Sequence, residues 1–131
     1  MTKTNVNDDS YLDSSYWNGL IKMSLSRLFI LKTLYEKPLH GYAITKRISE
    51  LTNGCCAPTE GSLYPALKEF QDKGYLSSEK DVVNGRKRKV YKLTDKGLKA
   101  YQVGLDAWKE TAGALLDAKE ELEMKEGDIN A

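Results

Sequence analysis

The sequence predicts a mainly α fold with a small β component (α+β), and three observations predict it. Apolar residues recur at helical spacing in four separate stretches. A single Asn-Gly pair, Asn84-Gly85, stands between two runs of β-like composition. The order of the pieces is three helices, a hairpin and one long last helix. That order describes a winged helix-turn-helix with a two-stranded β wing, an N-terminal helix before it and a long C-terminal helix after it.

The elements follow in chain order. The first thirteen residues are polar and are expected to be a disordered arm. From Ser14 or Ser15 the apolar residues Tyr16, Trp17, Leu20, Ile21, Leu25, Leu28 and Phe29 share one helical face, and Leu31 and Leu34 prolong it to about Tyr35. Gly19 and Ser24 are points at which this stretch could divide into two helices, and Pro38 ends it. Tyr42, Ile44, Ile48 and Leu51 mark the next helix, which stops at Asn53-Gly54. The helix of "GSLYPALKEF" then runs to about Lys73, with Gly74 as its C-cap. Pro65 lacks a backbone donor, so it is expected near the helix start, with Ser62, Leu63 and Tyr64 at or just before the first turn and Thr59 as N-cap. Asn84-Gly85 closes the hairpin. Thr94 or Asp95 caps the last helix. The expected organisation is an arm at 1–13, a winged helix-turn-helix with its preceding helix at 14–95, a dimerisation helix at 96–123 and a disordered tail at 124–131.

The totals exclude several classes. At 131 residues the chain is expected to form one domain. No apolar run approaches the ~20 residues of a membrane span, and the polar N-terminus has no secretory h-region. The two cysteines, Cys55 and Cys56, are adjacent and make no disulfide framework. A cytoplasmic protein without membrane partner is therefore expected. One histidine, one cysteine pair and scattered surface acids offer no catalytic constellation, so no enzyme, no cofactor and no metal are expected.

Net charge is +1, but its distribution is uneven. Arg86, Lys87, Arg88 and Lys89 are consecutive beside the hairpin turn, with Lys92 following. From Asp106 onward there are eight acids (Asp106, Glu110, Asp117, Glu120, Glu121, Glu123, Glu126, Asp128) against three bases (Lys109, Lys119, Lys125). A basic wing tip beside a helix-turn-helix points to double-stranded DNA, because cations that neutralise phosphates release counterions. A recognition helix presents its N-terminal turns to the groove. This makes Thr59, Ser62, Tyr64 and Pro65 candidate DNA contacts, with Lys68 one turn on and Lys46 and Arg47 of the preceding helix near phosphate. Other placements stay open: Thr59 and Ser62 as caps only, Tyr64 partly buried in the turn, Lys46 and Arg47 as plain surface charges.

The segments "PLHGYAITKRI", "PTEGSLYPALKEFQDKGYL" and "GRKRKVYKLTDKG" occur in this order, and in them the sequence resembles PadR-type transcriptional regulators, from about Ser24 to Leu98. The resemblance implies a homodimeric winged-helix repressor of operator DNA, with a C-terminal helix that dimerises and often a small-molecule effector that loosens DNA binding. It also implies that Tyr64 and Pro65 face DNA and that Arg86 to Lys89 form the wing tip. A single long C-terminal helix resembles the family's small subgroup.

Leu98, Tyr101, Leu105, Trp108, Ala112, Leu115 and Leu122 follow a 3-4 spacing, with Lys119 in the one polar slot. Such a seam predicts a two-fold dimer, which would set two recognition helices over a pseudo-palindromic operator. Trp108 serves dimer packing, or with Trp17 lines a pocket for a small aromatic effector. Two alternatives remain: a winged helix used as a protein-interaction module, which the basic wing disfavours, and a thiol- or metal-sensing regulator using Cys55 and Cys56.

Overall fold

The computed structural model describes residues 9–130, so most of the expected arm and Ala131 lie outside it. Its elements are α1 (Ser14–Glu36), β1 (Leu39–His40), α2 (Gly41–Thr52), α3 (Glu60–Asp72), β2 (Leu76–Val83), β3 (Arg86–Leu93) and α4 (Asp95–Asn130). Among the described residues no helix is long and apolar enough to cross a membrane.

Asp13 starts α1: its carboxylate accepts from the Ser15 amide at 2.9 Å, and that bond holds its carboxyl below the usual range. The last residues of the expected arm, Ser10–Leu12, form a 3-10 turn before it. Helix α1 does not divide at Gly19 or Ser24. The Ser24 hydroxyl donates to the Ile21 carbonyl at 3.1 Å, so the polar side chain is satisfied within the helix. Only the C-terminal part of α1 enters the core, through Ile30, Leu31, Thr33 and Leu34. The buried Thr33 hydroxyl donates to the Ile30 carbonyl at 2.8 Å, which removes the cost of an unpaired polar group.

Ile44 and Ile48 of α2, Cys56 of the turn after it, Leu63, Ala66 and Leu67 of α3, Leu76 of β2, Tyr91 of β3 and Tyr101 of α4 join that core. Truncating Leu63 or Leu67, both fully buried, to alanine removes transfer energy and leaves a cavity, at about 2–5 kcal/mol each.

The sheet has three strands, in the order β1-β3-β2, where the sequence predicted two. Leu39 pairs with Tyr91 and His40 with Val90. A two-residue strand is too short to carry an alternating pattern, so it reads as a break after Pro38. The hairpin is as expected: β2 and β3 pair from Leu76↔Leu93 to Val83↔Arg86, and Asn84 and Gly85 both take positive φ, 52° and 78°.

Gly74, with φ 85°, ends α3, and the next amide, Tyr75, donates back to the Phe70 carbonyl at 2.8 Å. Thr94 then caps α4. Its hydroxyl accepts from the Gly97 amide at 3.1 Å and donates to the Gly74 carbonyl at 2.7 Å, tying the helix start to the hairpin base. At Gly97 a Cβ would collide with the Tyr75 carbonyl, so only glycine lets α4 cross there.

Helix α4 differs from expectation at both ends of its seam. It runs on to Asn130, so residues 124–130 are helical where a disordered tail was expected. Tyr101 is not on a free seam. It is 7% exposed, with its ring 5.3 Å from that of Tyr35, and Leu98 packs against the same core. Gly104 lies against Leu28, where a Cβ would come within 2.8 Å of the Leu28 side chain. Beyond that contact Leu105, Leu115, Leu116 and Leu122 are exposed, and Trp108 and Ala112 are half-buried.

Candidate nucleic-acid interface

Helix α3 sorts its residues by period. Leu63, Ala66 and Leu67 are buried, while Gly61, Ser62, Tyr64, Pro65 and Lys68 are exposed. The helix begins where the sequence placed its cap: Thr59 is at the N-cap and Glu60 is the first helical residue. Thr59 makes no side-chain cap bond to a backbone amide. Its hydroxyl lies 3.2 Å from that of Ser62, and the Ser62 hydroxyl also donates to the Thr59 carbonyl. Ser62, Leu63 and Tyr64 are therefore inside the first turns, and Pro65 sits a full turn deeper than expected. The donor that Pro65 lacks would have served the Gly61 carbonyl. Gly61 is exposed, so solvent can serve that carbonyl instead, which is why the proline is tolerated.

Tyr64 leans across to the start of α2. Its hydroxyl would stand 2.7 Å from a Cβ at Gly41, so the glycine makes room for the ring. The side chain remains 47% exposed. Beside it opens a groove of about 710 Å³ lined by His40, Tyr42, Tyr64, Lys87, Arg88, Lys89 and Tyr91. Helix α3, β3 and the β1–α2 junction all contribute to its lining. Burial, and then the nearby Tyr64 phenol, raise the pKa of Tyr91.

The wing residues Arg86, Lys87, Arg88 and Lys89 are all exposed. Among the described residues none of the four joins an ion pair. Asp81, directly across from Arg88, instead accepts from the Val82 amide at 2.8 Å. Unpaired surface cations keep their full charge for an anionic ligand. Lys68 is less free, since its ammonium is 2.8 Å from Asp72, which raises its pKa.

The structure does not bring the α2 cations into this groove. Lys46 is exposed and lines a separate depression with Glu36, Arg47 and Glu50. Arg47 is not a spare phosphate ligand. It clasps Glu36 through two bonds of 3.0 and 2.9 Å and reaches Glu50 at 3.3 Å. The Arg47 guanidinium holds the Glu36 carboxyl below its usual range. The Trp17 ring packs against Tyr11 and Tyr16, and its indole N–H donates to the Tyr11 carbonyl at 2.8 Å.

Sequence reasoning did not assign Tyr42, Tyr91 or His40 to the groove. Tyr42 is 70% exposed, and the imidazole Nδ1 of His40 is buried without a hydrogen-bond partner among the described residues. The "HGY" triplet was the available signal, because a glycine there is what admits Tyr64.

A helix-turn-helix whose third helix and basic hairpin share one open groove is a DNA-reading arrangement. The family model for PadR-like transcriptional regulators matches residues 30–103, more than half of the chain. This chain belongs to the PadR-like family of transcriptional regulators. It is 36% identical over 90 residues to Transcriptional regulator Rv3488 of Mycobacterium tuberculosis, across 69% of this chain and 81% of that protein. A PadR family transcription regulator from Clostridium difficile superposes with a TM-score of 0.61 at 26% identity, over 70% of this chain and 94% of the other. The PadR family regulator of Eggerthella lenta gives 0.64 at 29% identity, over 85% and 90%. The PadR-like chain is thus a DNA-binding transcriptional regulator, not an enzyme.

Proposed function

We propose that this PadR-like chain is a homodimeric, cytoplasmic, ligand-responsive repressor that reads a pseudo-palindromic operator. The start of α3, with Thr59, Ser62, Tyr64 and Pro65, enters the major groove, while Arg86 to Lys89 hold the flanking phosphates. Lys68 and Lys46 add weaker contacts. The observation that carries this reading is the unpaired basic wing facing the exposed Tyr64 across one groove.

Dimerisation rests on α4 beyond its contact with the body. Leu105, Leu115 and Leu122 expose apolar area there, and Trp108 and Ala112 are half-buried beside them. Water disfavours such a stripe on a monomer. The exposed apolar end of α1, Tyr16, Trp17, Leu20 and Ile21, is the second surface available to the partner. A two-fold pairing that spaces the α3 helices by ~34 Å would meet successive major grooves. An aromatic effector lodged between Trp17 and Trp108 of the assembled dimer would change that spacing and release the operator. On this reading residues 14–95 form the DNA-binding unit and α4 the dimerisation unit.

The test is a salt titration of DNA affinity with Arg86, Lys87, Arg88 and Lys89 replaced by alanine. Each lost phosphate contact should reduce the log–log slope by ~0.9. An unchanged slope would remove the wing from the interface.

A further inference from the structure

Cys55 and Cys56 lie in the turn that joins α2 to α3. Side chains of adjacent residues in extended chain point to opposite sides. Here residues 53–56 form a turn, not an extended segment. Both thiols end on one side, Sγ to Sγ 3.5 Å, with Cys56 donating. Cys55 is half-buried, and Cys56 is 2% exposed within the core. The same residue fixes the turn through its backbone. Its amide donates to the Thr52 hydroxyl at 3.2 Å, and its carbonyl accepts from the Ser26 hydroxyl at 3.3 Å. Three residues later Thr59 opens α3.

We propose that Cys55 and Cys56 chelate a trivalent arsenical, and that filling this site loosens α3 from DNA. The second half deepens the DNA-binding reading above and rests on it; the first half does not.

Two competing chemistries fit the pair less well. A disulfide usually needs Cα atoms about 4.4–6.8 Å apart, whereas a trans peptide holds neighbouring Cα atoms at about 3.8 Å. A bridging atom enlarges the ring and bonds each sulfur without bringing the sulfurs to bonding distance. A divalent metal ion wants more ligands, and among the described residues no group of three or more His, Cys, Asp or Glu side chains could hold one. A monosubstituted trivalent arsenical needs two soft donors only, and thiols are soft.

The step balances without a redox partner. Two S–H bonds are replaced by two S–As bonds. The arsenical's oxygen leaves as one water that carries both thiol protons, and arsenic remains trivalent. Cys55, the more accessible thiol, bonds first. Burial pushes the Cys56 thiol up to about 11, so it stays protonated and slow until its neighbour presents the arsenic. The second bond draws Cys56 from its core position. That strains the bonds to Thr52 and Ser26 and moves the start of α3.

The experiment uses the full chain and phenylarsine oxide. Intact-mass measurement should show one phenylarsenic group per chain, with two hydrogens lost. This adduct should survive excess glutathione, a monothiol, and be removed by dimercaptopropanol, a dithiol. Cys55→Ser and Cys56→Ser should each yield an adduct that glutathione strips. If Cys56→Ser does not fold, the half-exposed Cys55→Ser decides alone. With a labelled duplex that the untreated protein binds, one equivalent should weaken binding at least tenfold and leave Cys55→Ser unaffected. A glutathione-labile adduct on the native protein, or a resistant one on Cys55→Ser, overturns the chelate. A resistant adduct with unchanged DNA affinity overturns the coupling. Failure of the untreated protein to bind any duplex counts against the DNA-binding reading, while the mass result still decides the chelate.

Discussion

Tyr64 of α3 rests its hydroxyl against the spot where Gly41 of α2 lacks a side chain, within 2.7 Å of an added Cβ. This contact joins the two helices of the turn motif at their exposed edge. It also fixes where the Tyr64 ring stands relative to the wing.

Gly41→Ala should therefore act on Tyr64. The added methyl overpacks the contact at about 1–3 kcal/mol. In a Tyr64→Ala background the same change should cost nothing measurable, which a double-mutant cycle of thermal unfolding would read. Operator affinity should fall in Gly41→Ala more than affinity for random duplex.

Pro65→Ala should raise stability. It restores an amide donor for the Gly61 carbonyl inside α3. A helix-interior proline costs ~3 kcal/mol against alanine, offset by up to ~1 kcal/mol from its stiffer unfolded chain, so the gain is about 2 kcal/mol. Chemical denaturation measures it. A drop in DNA affinity despite the gain would mark Pro65 as present for recognition.

Replacing Leu115, 63% exposed, and Leu122 with glutamate should leave the circular dichroism of the chain unchanged. Light scattering should then report a monomer at micromolar concentration, where the parent should be a dimer. A parent that is already monomeric at that concentration would move the interface away from α4.

The Arg47–Glu36 clasp predicts an acid-limb effect. Hydrogen bonding to Arg47 holds the Glu36 carboxyl below its ordinary value in the folded chain. The folded state then binds fewer protons than the unfolded one through that window. Stability from this pair is fully present above the ordinary glutamate range and is lost as pH falls through the lowered value. Glu36→Gln should flatten that part of the stability-versus-pH curve and leave neutral-pH DNA affinity unchanged.

Local signals carried much of the fold. Asn84-Gly85 named its own turn, because few residue pairs tolerate two positive φ angles. Thr94 and Gly74 named the helix ends they close. What escaped was set by tertiary contact. Pro65 reads as a helix start because proline avoids interiors, yet it stands inside α3, beyond the first turn, and its cost is borne there. Tyr101 fits the dimer spacing, but Tyr35 of α1 takes it into the monomer core. The strand Leu39–His40 exists only because β3 is there to pair with it. In the groove, the cationic wing was visible as a charge run, whereas the roles of Tyr42 and Tyr91 depend on elements far apart in sequence.

Helix α4 is held to the body near its start and packs on Leu28 at Gly104. The 26 residues from there to Asn130 make a shaft of about 40 Å. A tilt of about 5° at that point swings the tip by about 3 Å. A pivot near Gly104 would let whatever grips the far end sense, amplified, a slight change in how Leu28 seats.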